Sequence, residues 1–312
     1  MLVRASLVSV MLLACKAGNP PPPPARTDLI VVSPGVLPRR VLRYHLAKGT
    51  KTTFELDLEG TLVAGEITSA SPPLTFALSI AVDDVLPDGR MKLATTVLGM
   101  TAHAASDQPG APRANADAAA LAGLVLTATL SPDGTIADVH VASAAAQDSG
   151  SAAAAQDSGS AALAPGSGSA APGPLDASAR ALIDQLVQAL PKLAMPLPPT
   201  PVGIGAKWRS ARSLGPISPL ALTSVTTIDL DGISGSTLTY ELTSTVHGDD
   251  QHVTQDGVEV QVKDITGTAT GHGTFDLAKL APLGTLAAEL HMEMTTGSDR
   301  TPMTMSLEMR SH

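Results

Sequence analysis

The chain holds a single cysteine in 312 residues, and aromatic side chains make up 2% of it against 44% apolar. One thiol closes no internal disulfide, so no staple framework supports this fold. With so few rings, the core has to be filled by Ala, Leu, Val, Ile and the 10 methionines. Lys and Arg number 20 against 29 Asp and Glu, a formal net charge of -9, and the cations are scattered. That leaves neither the basic stripe a nucleic acid requires nor a polybasic patch for anionic headgroups. Catalytic signatures are missing as well: there is no Gly-x-Ser-x-Gly elbow, no His-Glu-x-x-His and no phosphate loop. Asp83, Asp84, Asp229 and Asp231 stand alone or at expected strand ends rather than in acid/base pairs. The chain reads as a non-enzyme without a cofactor and without a nucleic-acid partner.

What is present begins at the N-terminus. Met1-Leu2-Val3-Arg4 leads into an apolar stretch from Ala5 to Ala14, and the cysteine follows in Leu12-Leu13-Ala14-Cys15. A basic start, about 10 apolar residues and a small residue at the cut site describe a secretory signal over 1–14, well short of the roughly 20 residues that span a bilayer. Leu12-Leu13-Ala14-Cys15 resembles the lipobox of bacterial lipoproteins, which implies cleavage before Cys15 and lipidation of its thiol. Several acyl chains on one residue hold a protein at a membrane that a single chain grips only marginally. Lys16 rather than Asp follows the cysteine, which points to the outer membrane in a Gram-negative host. Cys15→Ser is therefore expected to move the protein into the soluble fraction. A variant that stays with the membrane, beside a wild type that takes up no fatty-acid label, would refute the anchor.

Two stretches read as linkers. Pro20 to Pro24 favour a stiff polyproline rod, and 15–37 as a whole reads as a tether. From 143 to 174 the chain is rich in Ala, Gly and Ser, and the unit Ala-Ala-Ala-Gln-Asp-Ser-Gly-Ser-Ala occurs at 144–152 and again at 153–161. Such a unit has too little apolar surface to offset the entropy of ordering it, which predicts disorder.

Elsewhere the pattern is that of strands. Phe54, Leu56 and Leu58 alternate with Glu55, Asp57 and Glu59, and Phe76, Leu78, Ile80 and Val82 alternate with small or polar residues. The same period of two returns at Leu238, Tyr240 and Leu242, at Val258, Val260 and Val262, at Leu290, Met292 and Met294, and at Met303, Met305, Leu307 and Met309. A period of two buries one face, the pattern of antiparallel sheet with its other face in water. Pro87-Asp88-Gly89 and Pro132-Asp133-Gly134 mark hairpins, with Asp231-Gly232 and Gly248-Asp249-Asp250 as weaker turns. The spacing predicts about ten strands, near 40–48, 52–60, 74–83, 90–101, 121–130, 135–142, 219–230, 236–246 and 257–270, with two after 286. Between 175 and 190 the period changes. Asp176 suits an N-cap, Ala179, Leu182, Ile183, Leu186, Val187 and Leu190 share one helical face, and Pro191 ends the run. The expected fold is mainly β: a curved antiparallel sheet or open barrel, with one amphipathic helix packed on its concave side. Residues 38–142 form its first β half and 175–312 the helix plus its second half, packing together as one domain.

A hairpin near Tyr44 and Lys48-Gly49, a mid-chain helix, Pro201-Val202-x-x-Gly205-x-x-Trp208 and Met-rich closing strands make the chain similar to a family of bacterial envelope lipoproteins of unknown function. The likeness covers about 38 to 310 outside the duplicated linker. It implies an envelope location and carries no activity.

Candidate contacts are few. Trp208, the only tryptophan, suits either a core anchor or a stacking contact. His291-Met292-Glu293-Met294 and Met303-Thr304-Met305 have the thioethers of a Cu(I) site, but Leu290 and Leu307 continue the same face, so a Met-filled core is the simpler reading. His247, Asp249, Asp250 and His252 have ligand spacing and also fall where a hairpin turns, so no metal is assigned. Two functional classes remain. One is a module that holds an apolar ligand or lipid between sheet and helix, touching Leu186, Trp208, Met292, Met294 and Met305. The other is a structural or assembly lipoprotein that binds an envelope protein.

Overall fold

Period-two alternation becomes sheet almost throughout. The computed structural model describes residues 28–103, 121–142, 183–184, 186–188, 190–192, 194–213, 220–255, 258–280 and 282–312. The expected signal over 1–14, Cys15, the prolines, the duplicated unit and the expected start of the helix lie outside them. The strands are β1 (Asp28–Pro34), β2 (Lys51–Ala64), β3 (Ile67–Ala70), β4 (Leu74–Val85), β5 (Met91–Ala102), β6 (Val125–Leu130) and β7 (Ile136–Ala142) in the first part. In the second they are β8 (Ala206–Ser213), β9 (Thr223–Ser234), β10 (Thr237–Gly248), β11 (Gln251–Gln255), β12 (Val258–Asp276), β13 (Pro282–Thr296) and β14 (Asp299–Ser311). All join one antiparallel sheet in the order β1-β8-β9-β10-β12-β13-β14-β2-β4-β5-β6-β7, with β11 added beside β12 and β3 beside β2. The sheet is not closed into a barrel. It joins the two parts of the chain twice, through β1 with β8 and through β14 with β2.

The two expected hairpins form as their residues require. Gly89 and Gly134 take φ of +82° and +89°, the left-handed region open to glycine, and Gly134 N donates to Ser131 O at 2.9 Å. A Cβ on Gly134 would sit 2.1 Å from Met195 O, so a side chain there has no room. Asp231-Gly232 is no turn. It falls at a bulge inside β9, and the chain reverses instead at Gly235, with φ +58°.

Three further expectations change. Residues 40–48 alternate like a strand, with Leu42, Tyr44 and Leu46 buried, but they form no ladder. Apart from one bridge between Arg40 and Val202, their backbone bonds go to turns: Tyr44 N to Pro132 O and His45 N to Leu277 O. An extended segment crossing the end of a sheet repeats the alternation without the pairing. The expected tether over 15–37 gives up its last third, because β1 pairs with β8. Of the expected helix, 183–184 and 186–188 are helical among the described residues, and a short 3-10 turn, Leu190–Lys192, follows. Among those residues no helix is long and apolar enough to cross a membrane.

The buried side chains form two clusters. The larger gathers Tyr44, Phe54, Phe76, Trp208, Leu230, Leu238 and Phe275 with Ile183 and Leu190, and Leu186 and Val187 pack against it. The smaller gathers Leu220, Val260, Val262, Ile265, Met292, Met294 and Met303, with Leu62 and Leu290 against it.

Candidate functional site

The two clusters lie on one face of the sheet, and its register shows what separates them. Directly paired residues project to the same side. One row therefore runs Arg212, Ser224, Val246, Gly267, Leu290, Met305, Leu62 across β8, β9, β10, β12, β13, β14 and β2. The next runs Ser210, Thr226, Ser244, Ala269, Ala288, Leu307, Gly60. At about 4.8 Å between strands, each row spans about 29 Å. Together they make a lane across the sheet: hydroxyls at one end, small residues in the middle, Leu and Met at the other.

The middle of the lane has a backbone cause. A Cβ on Gly267 or Gly271 would lie 2.6 Å from the carbonyl oxygen of Glu289 or Thr285 on β13, so only glycine allows β12 and β13 to approach this way. Leu290 and Leu286 lean over those glycines. Beyond them Met305 and Leu307 are each 40% exposed, uncovered among the described residues. The methionine face expected to be continuous core breaks at this point. Met292, Met294 and Met303 are buried in one cluster with Leu220 and Val260, and Met305 lies outside it.

The polar end is unusual for an inward face. Ser210 is 2% exposed and its Oγ has no hydrogen-bond partner among the described residues. Ser224 and Ser244, also buried, share a hydrogen bond of 2.7 Å between their hydroxyls, and Thr226 Oγ1 donates to Ser244 Oγ at 3.1 Å. Arg212, half-buried beside them, pairs with no carboxylate among the described residues. Burial lowers its pKa from the ordinary guanidinium value. Burial pushes the Tyr44 phenol far up, so it stays neutral. Its hydroxyl donates to Met195 O at 3.0 Å and accepts from Met195 N at 2.9 Å.

These bonds belong to a strap. Trp208 Nε1 donates to Pro196 O at 2.9 Å, Arg43 Nη1 to Pro198 O at 2.9 Å, and Leu197 N to Asp133 O at 2.8 Å. The proline-rich segment 194–202, with few donors of its own, is held by donors from Trp208 of β8 and from Arg43 and Tyr44 of the unpaired segment 40–48. Trp208 is 0% exposed and lies inside the larger cluster beneath this strap.

The candidate contacts thus separate into three places. Leu186 and Trp208 belong to the larger cluster, Met292 and Met294 to the smaller, and Met305 to the open strip outside both. Pattern reading had no means to find Arg212, Ser210, Ser224, Thr226 and Ser244. On the opposite face, His252 Nδ1 pairs with Glu259 at 2.9 Å, Lys48 with Asp84 at 3.2 Å, and Lys207 with Asp229. His247, Asp249 and Asp250 are exposed at the turn after β10, and no three His, Cys, Asp or Glu converge on a metal position among the described residues. No family model and no curated protein matches the chain.

Proposed function

We propose that the protein is a cell-envelope lipoprotein, anchored through Cys15, that holds an apolar ligand against the inner face of its sheet. The supporting observation is the strip in which Met305 and Leu307 lie exposed on the same face as the two clusters, continued by the half-buried Leu62 and Leu290 at the edge of the smaller one. Methionine and leucine without rigid rings make an adaptable surface for a hydrocarbon chain. No step of bond making is assigned to it.

Protein extracted gently from its own membrane is expected to keep a lipid-sized mass in native mass spectrometry, beyond the mass of its anchor. Leu307→Asp removes that mass while leaving the melting temperature within about 2 °C, because a site already exposed costs less than about 0.5 kcal/mol to make polar. Bare wild-type protein would refute the reading. A stoichiometric protein partner in place of the lipid would establish the second class, an assembly lipoprotein. One observation favours that class: β1 is an edge strand whose Ile30 is 60% exposed, with Val32 exposed beside it and no charged side chain between them.

A further inference from the structure

Resting on the apolar-ligand reading, we propose that the occupant is an amphiphile with one anionic head. Arg212 and the hydroxyls of Ser210, Ser224, Thr226 and Ser244 take the head, and the hydrocarbon runs over β12 onto Leu290, Met305, Leu307 and Leu62. Three observations converge. A guanidinium half-withdrawn from water with no carboxylate partner among the described residues is costly unless an anion meets it. Ser210, 2% exposed on the neighbouring position of the same face, presents a hydroxyl with no partner among the described residues, and a buried donor without a partner carries its full desolvation cost. Register then places Arg212 in one row with Leu290 and Met305. Four strand steps from β8 to β13 put the cation about 19 Å from the first large apolar side chain of the strip, a separation suited to a long chain lying across the strands. The intervening positions, Val246, Gly267 and Ala269, carry no charge. Arginine suits this end because its planar fork meets carboxylate and phosphate oxygens two at a time and stays cationic when desolvated.

The test uses the full protein, stripped of bound lipid, with tetracosanoate, tetracosyl phosphate and tetracosanol as probes, whose extended chains match the length of the row. Wild type is expected to bind each anion at least tenfold more tightly than the alcohol. Arg212→Gln brings the anions down to the affinity of the alcohol and leaves the alcohol unchanged, Arg212→Lys keeps part of the preference, and Ser210→Ala reduces it. The better of the two anions identifies the head as carboxylate or phosphate. Equal binding of anions and alcohol to wild type overturns the head site while the apolar strip stands. Binding of none of them overturns the strip as well. If Arg212→Gln fails to fold, the wild-type comparison and Ser210→Ala still decide. An Arg212→Gln protein that folds and keeps the anion preference places the head elsewhere and refutes the assignment.

Discussion

Trp208→Ala is expected to destabilise the protein by about 3–5 kcal/mol, the usual cost of deleting a large ring from a closed site. Trp208 stands between Val31 of β1 and Ile228 of β9, wholly buried, and its indole nitrogen holds the carbonyl of Pro196. Truncation therefore opens a cavity and leaves an acceptor unpaired beneath the strap. At about 2–4 °C per kcal/mol for a domain of this size, the melting temperature falls on the order of 10 °C, which circular dichroism records. Trp208→Phe keeps most of the volume and loses the donor, costing about 1–2 kcal/mol by the same measurement. Limited proteolysis is expected to cut the alanine variant within 194–202, where the wild type resists. An alanine variant within 1 kcal/mol of wild type would show that the strap, and the packing under it, do not depend on this ring.

The strand content was legible because the chain alternates so plainly. Ranges near 52–60, 74–83 and 90–101 fall within β2, β4 and β5, and those after 219 within or close to β9, β10 and β12. What stayed hidden has physical causes. In Ala206-Lys207-Trp208-Arg209-Ser210-Ala211-Arg212 the inward positions carry a single large apolar side chain, so β8 shows no alternation to read. β1 follows a proline run, and its apolar residues Leu29 to Val32 are consecutive rather than alternating, so no period of two marks it. The polar end of the lane was hidden more deeply. Ser210, Thr226 and Ser244 carry no apolar side chain to mark their face, and the structure turns them inward. That Arg212 shares a row with Leu290 follows from pairing across four strand interfaces, and residues near 212 hold no record of residues near 290.

The two parts of the chain cooperate through this pairing. β14 seats its Met305 opposite Leu62 of β2, so the open strip draws residues from both ends of the sequence. Neither part alone has it. The larger cluster runs from Trp208, Leu230 and Leu238 to Phe54, Phe76, Leu93 and Leu130, the smaller gathers residues of β12, β13 and β14, and Met305 and Leu307 stay 40% exposed outside both. A fold seeking only stability would bury them, since each large apolar side chain withdrawn from water contributes about 1.5–3 kcal/mol. Their exposure is what the proposed ligand would cover.

Placing the same charge at two methionines of this face separates core from strip. Met294 is 5% exposed, packed among Val260, Val262 and Leu220, and Met294→Glu puts a carboxylate where no described cation reaches it. The expected cost is about 3–5 kcal/mol at neutral pH, enough to consume much of a typical stability of about 5–15 kcal/mol. Burial raises the pKa of the introduced acid, so the penalty has a definite pH dependence. With the folded pKa above the unfolded one, the unfolded state sheds the proton first, and the loss grows as the pH rises through and beyond the unfolded value near 4.3. The variant is accordingly most stable relative to wild type below about pH 4, where the group is neutral in both states. Met305→Glu, on the same face and 40% exposed, is expected to cost less than about 1 kcal/mol and to show little of that pH dependence. Denaturant titrations of both variants at pH 4 and pH 8 make the comparison. Equal penalties at the two sites would mean that Met305 is covered, and the strip would lose its claim to a ligand.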